Sequence, residues 1–343
     1  MKVDPSVMRA IAVNIDNKTK DFDIDSFVDV ELEIPELKPM DIRVSVKAAA
    51  INPIDLKMYR SAKNPGTVLG WDIAGVVESV GSDTSLFQIG DEVYYAGVVT
   101  RPGGFSELHV VDERIVGMKP KKLSFAEAAA LPLAAITCFE ALFEKMGIPQ
   151  DGGQATLLVL GGGGGIGSMA IQLGAHVAGV QVIATASRQE TEEQCMAMGA
   201  FAVIDHSSPL SSQIKALDIK SVDYILCLAD PGPIFADLAD IISPQGKICC
   251  LVESSVDLPM NLLRNKSVGF SWEGAFTKSL FRTKDMISQH HVLNRVSELL
   301  DAGVLKTTLS ERLESISASS LSIACRKLSQ GGVVGKIVMN GFS

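Results

Sequence analysis

The sequence predicts an α/β protein in which a doubly wound parallel sheet is joined to a separate β-rich domain. Three observations carry that prediction. An apolar strand over 157–160 empties into five consecutive glycines, Gly161 to Gly165, and then into a helix. Short apolar strands and helical intervals alternate from there to about residue 252. The first 125 or so residues instead hold strands punctuated by glycine and proline, with no such alternation.

In the N-terminal part, Val44, Val46 and Ala48 alternate with polar residues. Apolar runs follow over 73–80, between Gly70 and Gly81, and over 93–96 and 108–111. Turn residues this closely spaced suit a small barrel or sandwich. From about Ser124 the chain becomes alanine-rich and predicts helices over 125–133 and 137–145. After the strand 157–160 come a helix from Ile166, a strand over 180–186 and a helix over 190–198. Strands over 202–204, 222–228 and 247–252 then enclose helices over 210–217 and 234–242. That succession is a parallel sheet wound on both faces. The tail adds a helix over 290–300 and a strand over 335–340, and periodicity does not say which domain it rejoins. The expected organisation is a β-rich domain over 1–124, the parallel-sheet domain over 125–285, and a C-terminal segment over 286–343.

Read as G-x-G-x-x-G, the glycine run gives Gly162 for the tight turn, Gly164 for close approach to phosphate and Gly167 for helix packing. Ile166, Met169, Ala170 and Leu173 then recur at helical spacing. The helix N-terminus faces the loop and offers free N–H groups and a positive dipole end to an anion. Gly162, Gly164, Gly165, Ile166 and Gly167 are therefore the candidate residues for a dinucleotide pyrophosphate. NAD-binding units usually place a carboxylate at the end of the second strand. Here that strand ends Ala184-Thr185-Ala186-Ser187-Arg188, with no acid before Glu190. A hydroxyl and a guanidinium can hydrogen-bond a 2′-phosphate, so Ser187 and Arg188 point to NADPH. The competing reading has Arg188 open the next helix as a solvated charge.

Composition excludes other classes. At 343 residues, with 47% hydrophobic and 21% charged residues, the chain is an ordinary globular protein long enough for two domains. A formal net charge of −9 and no basic run longer than 119–122 argue against nucleic-acid binding. No apolar stretch reaches the roughly 18 residues of a membrane span, and the start Met1-Lys2-Val3-Asp4 lacks the apolar core of a signal peptide. A cytoplasmic enzyme is the expectation. The six cysteines, at 138, 195, 227, 249, 250 and 325, form no C-x-x-C pair and signal neither disulfides nor structural zinc. Most sit in apolar runs and are expected in the core.

Leu69-Gly70-Trp71-Asp72-Ile73-Ala74-Gly75-Val76-Val77, Gly90-Asp91-Glu92-Val93, Ala129-Ala130-Leu131-Pro132 and the glycine loop occur in that order. With them the chain resembles the medium-chain dehydrogenases/reductases. More closely it resembles their quinone oxidoreductase branch, in a subgroup often labelled zinc-type alcohol dehydrogenase-like. The resemblance spans essentially the whole chain. It implies a GroES-like barrel at the N-terminus, a Rossmann domain in the middle and a C-terminal segment returning to the barrel. It also implies NADPH in the cleft between the domains, and a homodimer.

Zinc-dependent members of the superfamily hold the catalytic metal with a cysteine three positions before an acid, a Gly-His-Glu triplet and a cysteine ahead of the cofactor domain's first helix. By register these positions are Asn52, Trp71 and Leu133. Neither an indole nor an isobutyl group donates a lone pair to Zn²⁺, and an amide is a poor third ligand. The four closely spaced cysteines of the family's structural lobe are also missing between Tyr94 and Val110. Catalytic zinc is therefore not expected. Without such a Lewis acid, the easier reaction is hydride donation to an already electrophilic acceptor, a quinone or an α,β-unsaturated carbonyl.

Reduction builds negative charge on the acceptor oxygen, which calls for a nearby donor. The resemblance places the Asn and Asp of Asn52-Pro53-Ile54-Asp55-Leu56-Lys57-Met58-Tyr59 at the cleft, with a tyrosine a few residues later. It thus implies Asn52 as amide donor, with Asp55, and Lys57 or Tyr59 as proton source. Asn52-Pro53 is also ordinary turn chemistry, and Tyr59 reads equally as a partly buried tyrosine. Thr137 falls at the family position beside the nicotinamide, against a reading as a helix N-cap. Trp71 either walls an acceptor pocket or belongs to the core. Two rivals stand beside quinone reduction: a 2-alkenal or enone C=C reductase, and an NADPH-binding sensor or structural protein of low turnover.

Overall fold

A computed structural model describes residues 6–150 and 153–342. The start Met1-Lys2-Val3-Asp4, read above for a leader, lies outside the described residues. The chain forms two compact units, Met1–Leu133 with Phe276–Ser343, and Ala134–Ala275. Their junctions fall within the helix Pro132–Phe139 and just ahead of the helix Thr277–Phe281.

The first unit opens with a hairpin, β1 (Val7–Val13) antiparallel to β2 (Phe27–Glu33). It continues with β3 (Asp41–Ala50), β4 (Ile73–Val80), β5 (Glu92–Tyr95), β6 (Leu108–Asp112) and β7 (Val116–Met118). β3 is the hub of a mixed sheet. It pairs antiparallel with β4, its first five residues pair with β6, and Ala48, Ala49 and Ala50 pair with a C-terminal strand. The buried side chains alternate through Ile42, Val44 and Val46 and become a run of three alanines at the end. Small side chains there let several elements approach one backbone. Gly75, opposite Val46, is held to glycine by packing, because a Cβ would lie 2.2 Å from the Ser45 carbonyl oxygen.

The second unit is one parallel sheet: β8 (Thr156–Leu160), β9 (Gln181–Thr185), β10 (Ala202–Ile204), β11 (Val222–Cys227), β12 (Ile242–Cys250) and β13 (Gly269–Trp272). The strand order is β10-β9-β8-β11-β12-β13, every pair parallel. β8 is buried along its whole length, as a central strand covered on both faces must be. The order reverses direction between β8 and β11. A doubly wound sheet binds its ligand at the carboxyl ends of the strands beside such a point, and β8 ends there in the glycine run. Two more strands, β14 (Leu309–Leu313) and β15 (Lys336–Asn340), complete the first unit, with β15 lying antiparallel to β3.

Sequence periodicity missed the first hairpin, β7, β13, β14 and the helices Pro53–Ser61 and Ala318–Ser329, and it merged two helices. The stretch expected as one helix over 125–133 is two pieces. The helix Phe125–Ala129 is started by a capping box between Ser124 and Glu127, and a second helix begins at Pro132. Proline lacks the N–H that would bond back into the first piece and suits a first turn instead. The 137–145 expectation is the end of that second helix and a wider turn over Glu140–Lys145. The six cysteines are all unpaired and buried. Among the described residues, no helix is long and apolar enough to cross a membrane.

Candidate functional site

In the second unit, the loop after β8 enters the helix Gly165–Gln172 with Gly164 as its N-cap. The first three N–H groups of a helix have no carbonyl within it to bond. Gly165, Ile166 and Gly167 thus present free backbone donors, since the first bond of the helix is from Ser168 N–H to the Gly164 carbonyl at 2.8 Å. The glycines are not equivalent. Gly161 carries the left-handed backbone of the turn, at φ +93°, a conformation that favours glycine. Gly162, expected to make that turn, is required by packing: a Cβ would lie 2.6 Å from Cys195 Sγ and 2.9 Å from Ala184 Cβ. At Gly167 a Cβ would meet the Gly161 and Gly162 carbonyl oxygens at 2.4 and 2.5 Å, which brings the helix against the loop. At Gly164 a Cβ would meet nothing within 4 Å, and φ is an ordinary −84°. Nothing among the described residues excludes a side chain there. Space beside N–H donors that have no partner within the helix fits an anion's approach, so the cradle fits a dinucleotide pyrophosphate.

Ser187 and Arg188 are exposed just beyond β9, with Arg188 at the N-cap position of the helix Gln189–Ala197. They line an open cleft of about 820 Å³ in which Glu192, Glu193 and Asp205 also face the space. Arg188 is the cation of that lining. Thr137 is buried within the helix Pro132–Phe139, near its end, and so is not a helix N-cap.

In the first unit the site is a buried polar network around Asp72, whose side chain is fully enclosed. Asp72 Oδ1 accepts from Leu133 N–H at 2.7 Å. Its Oδ2 accepts from Asn52 Nδ2 at 2.9 Å and from Lys336 Nζ at 2.8 Å. The same ammonium donates to Asn52 Oδ1 at 2.5 Å. Asn52 caps the helix Pro53–Ser61 in a capping box with Asp55, whose Oδ2 accepts Asn52 N–H at 2.7 Å while its Oδ1 accepts Gly70 N–H at 2.8 Å. Asn52 and Asp55 are thus brought together, and Asp55 ties the helix start to the segment Gly70-Trp71-Asp72 that leads into β4. Lys336 and Asp72 were missed as site residues. The Gly335-Lys336 pair at the start of a terminal strand carries no local signal of a partner nearly three hundred positions away.

Burial outweighs the two backbone hydrogen bonds on Asp55 and the nearby Lys336 charge, and pushes the Asp55 carboxyl up to about 7. The native state therefore holds a proton that the unfolded chain, with an ordinary carboxyl, releases above about pH 4. Stability from this group falls as pH rises from about 4 to 7 and is level above that window. Urea denaturation across this range is expected to show that fall in the native protein and to lose it in Asp55→Asn; parallel curves would contradict it.

Two expected donors lie elsewhere. Tyr59 is 1% exposed, its hydroxyl donates to the Thr19 carbonyl at 3.1 Å and accepts Thr19 N–H at 3.0 Å, and its ring packs on Phe22 and Phe27. Both hydroxyl functions are committed to the core, which corrects the reading of Tyr59 as a proton source. Lys57 is exposed on the helix Pro53–Ser61, whereas Asp55, Leu56 and Tyr59 are its buried residues. Lys57 therefore stands off the face that carries Asp55. Trp71 is 2% exposed, with Nε1 donating to the Val98 carbonyl at 3.2 Å, and belongs to the core.

The donor set does not suit Zn²⁺. The register positions of the family's metal ligands hold an amide already bonded through both its ends, an indole and an isobutyl group, with an ammonium against the amide oxygen. Among the described residues, no group of three or more His, Cys, Asp or Glu is placed to hold a metal.

A parallel sheet in the order just described, a glycine cradle at its switch point and a separate β-rich unit define a two-unit protein of the dinucleotide-binding α/β class. Residues 38–121 match the alcohol dehydrogenase GroES-like domain and residues 198–339 the zinc-binding dehydrogenase domain. A zinc-type alcohol dehydrogenase-like protein of Staphylococcus epidermidis is 34% identical over 92% of this chain and 94% of its own. A Rhizobium etli crystal structure, of a candidate zinc-dependent alcohol dehydrogenase, superposes with a TM-score of 0.92 at 42% identity, covering 98% of this chain and 99% of that one. An Arabidopsis thaliana NADPH-dependent alkenal/one oxidoreductase is 37% identical over 51% of this chain and 47% of its own. The chain belongs to the medium-chain dehydrogenase/reductase superfamily, whose members bind a nicotinamide cofactor, and it is an oxidoreductase of that family.

Proposed function

We propose that the protein is a zinc-independent, NADPH-dependent reductase of quinones or other electrophilic carbonyl acceptors. The observation that carries this reading is the donor set at Asn52, Trp71 and Leu133, where an amide, an indole and an isobutyl group replace ligands and Lys336 sits against the amide. Oxidising an alcohol needs a strong electrophile on its oxygen, whereas a quinone or enone is reactive enough to accept hydride without one. The bound nicotinamide supplies the hydride; the acceptor takes it with one solvent proton and leaves as hydroquinone, alcohol or saturated carbonyl. The chain's own part is to hold the pyrophosphate at Gly164 to Gly167, engage the adenosine end near Ser187 and Arg188, and place a donor near the acceptor oxygen.

Parallel assays of NADPH oxidation with quinones, alkenals and simple ketones test the reading. Turnover of quinones is the expected result, and turnover confined to simple alcohols and ketones overturns it. Turnover of alkenals alone would select the second reading, a C=C reductase, which the likeness to the Arabidopsis alkenal/one oxidoreductase favours. Protein purified without added zinc is expected to carry far less than stoichiometric metal by mass spectrometry. A tightly held stoichiometric zinc would refute the donor argument.

Arg188→Gln is expected to weaken NADPH binding by roughly tenfold or more, the worth of a charge-assisted hydrogen bond, and to leave NADH binding nearly unchanged. Fluorescence titration with both cofactors measures it. Equal losses would remove the 2′-phosphate assignment and return Arg188 to the role of a solvated residue ahead of a helix.

A further inference from the structure

The three segments that carry the superfamily's metal-ligand positions converge on one carboxylate. Asp72 follows Trp71 in the chain, accepts from the Asn52 amide and accepts from the backbone of Leu133. A cation is seated at that convergence, but it belongs to the protein: Lys336 Nζ, 2.5 Å from Asn52 Oδ1 and 2.8 Å from Asp72 Oδ2. We propose that the Lys336 ammonium stands in for the metal and donates a hydrogen bond to the acceptor oxygen as hydride arrives, with Asp72 and Asn52 as its positioning residues. The inference rests on the reductase reading above.

Four features support it. Lysine has three N–H donors, and Asn52 and Asp72 account for two. One remains for a substrate oxygen. The lysine is 6% exposed, so its charge acts in a poorly solvated setting where it stabilises a developing oxyanion far more than it would in water. Its two partners fix the head group of an otherwise flexible side chain, which removes the cost of reorganising it during reaction. Finally, Asn52 Nδ2 donates to Asp72 and its oxygen accepts from Lys336, so the amide helps to seat the ammonium. The balance is unchanged: hydride comes from the nicotinamide, Lys336 keeps its protons while the oxyanion forms, and solvent supplies the proton that completes the product.

Lys336→Met removes the charge and keeps most of the volume. With Asp72→Asn added, no unpaired buried carboxylate remains, so folding is retained even where the single variant is unstable. In the paired variant NADPH binding is expected to stay within about threefold of the native protein, while kcat for the acceptor falls by about 100-fold and KM changes little, the pattern of a lost transition-state donor. A kcat within about threefold of native overturns the proposal. The second arm needs no turnover and separates this inference from the function assigned above. 4-Nitrophenol bound to the native NADP⁺ complex is expected to ionise at least about one pH unit below the free phenol, seen in its visible absorbance, and to lose that shift in the paired variant. No binding by the native complex, or the same ionisation in both proteins, overturns the role of Lys336. The shifted spectrum without reduction of any acceptor upholds it while the reductase reading fails.

Discussion

Gly164→Asp is expected to lower NADPH affinity by about two to three orders of magnitude, since a carboxylate within about 4 Å of a pyrophosphate costs several kcal/mol at a protein surface. The protein itself should barely notice. Gly164 has a backbone conformation that any L-residue adopts, and a Cβ there meets no atom within 4 Å. Thermal unfolding without cofactor should therefore shift by only a few degrees. Gly167→Asp provides the contrast, because its Cβ would collide with two carbonyl oxygens and damage the fold whether or not cofactor is present. Fluorescence titration beside circular dichroism separates the two effects. Native-like affinity in Gly164→Asp would show that the phosphates bind elsewhere.

Asp72→Ala is expected to destabilise the first unit by about 3–5 kcal/mol, the cost of leaving a buried charge without its partner. One substitution strips acceptors from Leu133 N–H, Asn52 Nδ2 and Lys336 Nζ together, in a setting with almost no access to water. Asp72→Asn keeps an acceptor oxygen and should lose much less. Asp72→Leu with Lys336→Met removes the whole charge pair and is expected to recover most of the loss, as replacement of a buried pair by apolar groups often does. Urea denaturation followed by circular dichroism measures the three variants. If Asp72→Ala unfolds like the native protein, the network is not what fastens Leu133 and the Asn52 helix start to β15.

Legibility in the sequence followed the range of the interaction. Five of the six strands of the parallel sheet were readable because each is a short apolar run between helical intervals, a pattern set by neighbours in the chain, whereas β13, Gly-Phe-Ser-Trp, carries no such run. The first hairpin was not. β2 alternates weakly and exposes much of its length, so its pairing with β1 has no strong local pattern. The break at Pro132 was written in the chain but subordinated to the alanine-rich composition around it. At the candidate site, the glycine loop could be named from its own spacing, and Asn52 and Asp55 through the resemblance to a family whose motif they match. Tyr59 was misplaced because its neighbours in sequence say nothing of Thr19, Phe22 and Phe27 closing around its ring and hydroxyl.

The sequence by itself determined the fold class and the glycine cradle, which depend on residue identity and local spacing, and, through its resemblance to the family, that Asn52, Trp71 and Leu133 stand where metal ligands would. The tertiary structure alone decided what occupies their meeting point. Lys336 comes from β15, brought beside β3 by pairing across most of the chain, and only that long-range closure places its ammonium against Asn52 and Asp72. Side-chain identity limits which charges a site can hold, but the site's own cation is fixed by which distant strand folds back onto it.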